Sequence, residues 1–232
     1  MLVSVCMVCN LASAFVVQRP PLALKKENKK RCLSSRLEVS PSGIDALPVA
    51  TQALTFGGIY AGLGLSTVGA SRAVAALDGV PLFARWRKSW ALLGVVYALI
   101  GLAHFATPGA FEPIVPPQGT WGFWNLPGTA SFHVAWTGAA EIAGGTGLVA
   151  GAALEALFPD SPNPALLRRA AAAGLFLLTF AVTPANIYMY THGALMPGAG
   201  PDGPLDLSFH YVRFLLQVLL LTILASEATR PS

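Results

Sequence analysis

The chain has 232 residues, of which 54% are hydrophobic and only 11% charged, with a mean hydropathy of +0.58. A soluble domain carries about a quarter charged residues, so this composition excludes an ordinary water-soluble enzyme and points to one membrane domain. The formal charge of +4 does not indicate nucleic acid, because seven of the fifteen Lys and Arg lie between Arg19 and Arg36, in a leader.

Met1 to Ala14 is a short apolar run ending in Ala12, Ser13 and Ala14, a small-x-small pattern cleavable before Phe15. It is too short to span a membrane as a helix. Residues 15 to 43 are rich in Lys, Arg and Ser and poor in acids, the composition of an organelle transit peptide. All three cysteines, Cys6, Cys9 and Cys32, fall in this leader. Its removal would leave a chain without thiol chemistry or cysteine-ligated metal. The alternative for the same residues is a secretory signal followed by a basic tail.

Leu47 to Gly69 is uncharged for 23 residues, enough to cross a hydrocarbon core of about 30 Å at 1.5 Å per residue. It carries Gly58 and Gly62, a small-xxx-small face suited to helix packing. A basic linker runs from Ser71 to Lys88. The second span covers about Ser89 to Ala106 and is stopped by Thr107, Pro108 and Gly109. After a connection rich in Pro, Gly and Trp comes a third span, in which Glu141 is the only charge between Pro113 and Leu154. Gly138, Gly144, Gly145, Gly147 and Gly151 give it surfaces for close backbone approach. The fourth span, about Leu166 to Thr191, contains Pro184, which cannot donate to the Phe180 carbonyl and predicts a kink. The fifth covers about Leu207 to Ser226. Five spans put Arg72, Arg85, Arg87, Lys88, Arg168, Arg169 and Arg230 on one side, while the opposite loops contain no Lys or Arg, as the positive-inside rule requires. Trp121, Trp124, Tyr188, Tyr190 and Tyr211 fit an aromatic belt on the non-basic border.

The intramembrane polar residues gather toward the non-basic side. Glu141 lies about 15 Å from the mouth of its helix, with His104, Asn186, Arg213 and Gln217 on the other spans. A lone acid and a lone Arg at such depth are both costly, which predicts that Arg213 or Gln217 meets Glu141. Asn186 is expected to satisfy carbonyls freed by the kink. His133, His192 and His210 are expected at the interface, and no His pair has the i,i+4 spacing of a metal site. No phosphate loop or nucleophilic triad is present.

Two resemblances follow from these residues. Ala12 to Phe15, with the signal-then-transit order around it, resembles the bipartite presequence of algae whose plastids have extra membranes, which implies a plastid membrane, thylakoid or envelope. Residues 90 to 225 resemble the DoxX-like family of small four-helix membrane proteins. That match rests on Gly101 to Phe105 with Pro108, Phe111 and Ile114 to Pro117; on Thr137 to Gly145 with Gly147 and Leu148; on Ala181 to Ile187 with Met189; and on Arg213 to Gln217. The expected fold is an all-α integral membrane bundle. Residues 1–14 form a signal peptide, 15–43 a transit peptide, 44–88 an extra transmembrane helix with its linker, and 89–226 a DoxX-like four-helix domain. The family takes its name from a subunit of a quinone-reducing oxidoreductase. The expectation is a pocket that binds a quinone or similar amphiphile without covalent cofactor or metal. In it Glu141 and His104 would be catalytic groups that exchange and relay a proton, and Asn186, Arg213 and Gln217 would bind the ligand. An electron-donating membrane protein would be the partner, beside the bilayer itself. The alternative is a non-catalytic subunit or assembly factor whose buried polar residues only lock the bundle.

Overall fold

A computed structural model of the chain describes residues 40–197 and 204–230. The expected signal and transit segments lie outside these residues up to position 39. Ser40 is already buried, and its hydroxyl donates to the Tyr190 carbonyl at 3.1 Å. Ser40 is thus part of the packed structure, four residues before the start of the expected membrane region at residue 44.

The described residues are all helix, turn and loop, and five helices are long and apolar enough to cross a membrane: α1 (Val49–Ala76), α2 (Pro81–Ala106), α3 (Ala130–Leu157), α4 (Pro162–His192) and α5 (Leu207–Thr229). Helix α1 runs on through Ser71 and Arg72, so the linker shrinks to residues 77–80. Such an extension is inexpensive, because Arg is a good helix former and the Ala-rich stretch after it costs little entropy. Helix α3 starts at Thr129, whose side chain accepts from the Phe132 amide at 3.1 Å and so satisfies one of the free donors of the first turn.

Consecutive helices pack side by side in the order α2, α3, α4, α5, and α1 closes against α5. Glycine sets the closest of these contacts. A methyl group on Gly101 would meet the Gly138 carbonyl oxygen at 2.6 Å, and one on Gly138 would meet His104 Cβ at 2.6 Å, so α2 and α3 touch backbone to backbone there. Gly147 and Gly151 face α4, against Ala171 and the Arg168 backbone. The expected packing face of α1 is different: a Cβ on Gly58 meets nothing within 4 Å, and one on Gly62 reaches only the Phe214 ring at 3.8 Å. Small residues there leave space rather than close it.

Helix α4 breaks where Pro184 predicts, between Pro162–Ala181 and Thr183–His192. The Phe180 carbonyl, deprived of the Pro184 N–H, accepts the Tyr60 hydroxyl of α1 at 3.1 Å. Asn186 does not serve the freed carbonyls, contrary to expectation. Gln217 of α5 reaches the break instead, donating to Thr183 Oγ1 at 2.7 Å and the Thr179 carbonyl at 3.4 Å.

The basic end of the bundle is held by charge. Arg168 is fully buried and pairs with Glu155 of α3 at 2.7 Å and Glu227 of α5 at 3.1 Å, while Glu227 also takes Arg230 at 2.9 Å. Arg168 further donates to the Glu227 and Arg230 carbonyls, and Arg87 pairs with Asp78. At the opposite end the connection between α2 and α3 folds inward as a cap. Trp121 was expected in an interfacial belt but is 2% exposed, with its indole N–H donating to Thr191 Oγ1 at 3.0 Å and its ring 4.6 Å from that of Phe56. Its backbone sits at φ 54, between Gly119 at 86 and Gly122 at 77, a conformation costing about 1–2 kcal/mol that its burial offsets.

Candidate functional site

The polar residues singled out in the sequence do not form one pocket; they divide between two places. Glu141 and His104 face each other across the α2–α3 contact that Gly101 and Gly138 make possible. The imidazole Nδ1 is 3.4 Å from Glu141 Oε2, but its hydrogen bond, at 2.9 Å, goes to the Ile100 carbonyl. A carbonyl can only accept, so Nδ1 carries the hydrogen. Oε2 is buried and has no hydrogen-bond partner among the described residues. The Phe111 ring stacks on His104 with centroids 3.9 Å apart and covers one face of the imidazole.

Arg213 and Gln217 are elsewhere, so the expected meeting with Glu141 does not occur. The reason is angular: α5 lies beside α4 and α1, and the carboxylate helix α3 is separated from it by α4. Arg213 and Gln217 line a cavity of ≈ 420 Å³ between α1, the second half of α4 and α5. Its α1 wall is Gly58, Ile59, Gly62 and Leu63, whose small and apolar surfaces make a slot; α4 contributes Thr183, Asn186 and Tyr190. The volume is within the range of about 300–1,000 Å³ typical of small-molecule sites. Neither Glu141 nor His104 lines it.

The amides of the cavity are ordered by one another. Gln217, held by the α4 break through its nitrogen, presents Oε1 to Asn186 Nδ2 at 3.1 Å. Arg213 is held differently. Its Nη1 donates to the Met189 sulfur at 2.9 Å, and its guanidinium carbon is 5.5 Å from the centre of the Phe209 ring. These partners orient the cation without neutralising it, since no carboxylate lies within salt-bridge distance of Arg213 among the described residues. His210, expected at the interface, is instead a buried wall of the cavity, and its Nδ1 has no hydrogen-bond partner among the described residues. Its spacing of three residues from Arg213 places both on one helical face, a signal present in the sequence. His133 bonds the Pro127 carbonyl at 3.0 Å, and His192 bonds Thr191 Oγ1 at 2.8 Å. Among the described residues no group of three His, Cys, Asp or Glu could hold a metal ion.

The arrangement defines a five-helix protein with helices of membrane-crossing length and a side cavity that is apolar along α1 and cationic along α5. The chain belongs to the family described as a domain of unknown function (DUF8561), whose match covers residues 93–228. That region starts within α2 and ends one residue before the end of α5, so α1 lies outside it. No curated protein and no solved structure matches the chain.

Proposed function

We propose that the chain is a multi-pass membrane protein that binds an amphiphile in the cavity between α1, α4 and α5, its apolar tail along Gly58 and Gly62 and its oxygen-bearing head on Arg213, Asn186 and Gln217. The observation that carries this reading is a cationic side chain with no carboxylate partner among the described residues, lining a cavity whose other wall is largely apolar, an arrangement costly at membrane depth to retain for packing alone. The exposed apolar side chains of Leu54, Leu65, Leu177 and Leu215 give the bundle a lipid-compatible exterior.

The DoxX-like resemblance brings forward a prenylquinone as the amphiphile and a redox system as its setting. In that setting an electron-donating membrane protein would be the partner. The leader's resemblance to a bipartite presequence supports a plastid membrane. In this reading Glu141 and His104 are not in contact with the ligand, because they lie outside the cavity, at the α2–α3 contact.

Purification in mild detergent, followed by a visible spectrum, solvent extraction and chromatography, tests the proposal. A tailed small molecule near one per chain is expected, and Gly58→Phe, which fills open space in the cavity, should lose it. An empty cavity in the wild-type protein would instead favour a non-catalytic subunit. That second reading is supported by Gln217, whose bonds to Thr179 and Thr183 already give it a purely architectural task.

A further inference from the structure

We propose that the head group recognised by the cavity is a single carboxylate on one apolar chain, the chemistry of a fatty acid, with Arg213 as its counter-ion and His210 as a second hydrogen-bonding contact. The inference rests on the amphiphile reading above and narrows it toward a charged head rather than a neutral quinone. Its first support is charge balance. Among the described residues the cavity wall contains Arg213 and no Asp or Glu, so its fixed charge is positive beside apolar surface. A buried guanidinium is stabilised far more by an anion that accepts two of its N–H groups than by a neutral carbonyl.

Availability is the second support. Arg213 uses Nη1 on the Met189 sulfur, a weak acceptor, and makes no hydrogen bond from Nε or Nη2 among the described residues. His210 lines the same volume three residues before Arg213, on the same face of α5. The free guanidinium N–H groups of Arg213 and the His210 side chain thus border one volume in which a ligand oxygen can accept. One fixed cation matches one negative charge, whereas a phosphate monoester brings nearly two. The slot beside Gly58 and Gly62 belongs to a single chain, because Ile59 and Phe214 also line it.

The test compares palmitate, hexadecanol and a short-tailed quinone for binding to the purified full-length protein in nanodiscs of zwitterionic lipid. Palmitate should bind more tightly than hexadecanol by at least about tenfold, the range of a charge-assisted hydrogen bond. In Arg213→Gln that preference should vanish while hexadecanol still binds, which also shows that the variant is folded. Equal affinities in the wild-type protein, or a quinone that outcompetes palmitate, would overturn the carboxylate assignment and leave the amphiphile reading intact. If none of the three probes binds, the amphiphile reading itself falls.

Discussion

Arg168 and Arg213 carry the same side chain and answer to different physics. Arg168 is enclosed by two carboxylates and two carbonyls, so its charge is compensated from two neighbouring helices and its worth is architectural. Removing one member of such a network leaves the others buried and uncompensated. Arg168→Met should therefore lower stability by about 3–5 kcal/mol, read as a large loss of melting temperature in detergent. The double variant Arg168→Met with Glu227→Gln should recover part of it. A single variant as stable as wild type would show that the network contributes little. Arg213 has no such enclosure among the described residues; the sequence placed Arg168 at the basic end and Arg213 toward the other, but not the partners of either.

At the scale of the helix, the proline break in α4 shows how a local defect becomes a joint. Pro184 withdraws a donor from the Phe180 carbonyl, and Tyr60 of α1 supplies the replacement. Tyr60→Phe should cost about 1–3 kcal/mol, the penalty for an unsatisfied buried carbonyl. In a Pro184→Ala background the backbone N–H returns, and the same Tyr60→Phe change should cost close to nothing. Thermal melts of the four proteins form a double-mutant cycle, and an unchanged cost in both backgrounds would refute the coupling. The existence of this break was legible in the sequence because a proline inside a helix always frees a carbonyl. Its occupant was not, because the donor comes from a helix more than a hundred positions away. Helix number, type and most boundaries were legible for a similar reason: apolar length and flanking Pro and Gly are local quantities. The division of the polar residues into two groups was not, since it depends on which helices are neighbours around the bundle. The sequence put Glu141 and Arg213 toward the same side of the membrane, and the interposition of α4 separates them.

Across the whole molecule the two ends are built on different principles. One is closed by ion pairs among α3, α4 and α5, the other by an aromatic cap around Trp121. Five crossings place Asp160, in the turn between α3 and α4, opposite Gln118, in the connection between α2 and α3. With Cys6, Cys9 and Cys32 replaced, Asp160→Cys and Gln118→Cys should each react with a membrane-impermeant maleimide from one side of sealed vesicles only, and from opposite sides. Reaction from the same side would rule out the five-span topology. The family match ends short of α1, yet α1 supplies one whole wall of the cavity. A four-helix relative without that helix would offer its guanidinium face directly to the surrounding lipid, and any cargo would come and go at the pace of lateral diffusion. Under the proposed amphiphile reading, what the first helix adds is residence time: it would turn a site of exchange into a site of retention, with the strength of α1 docking setting the rate of release.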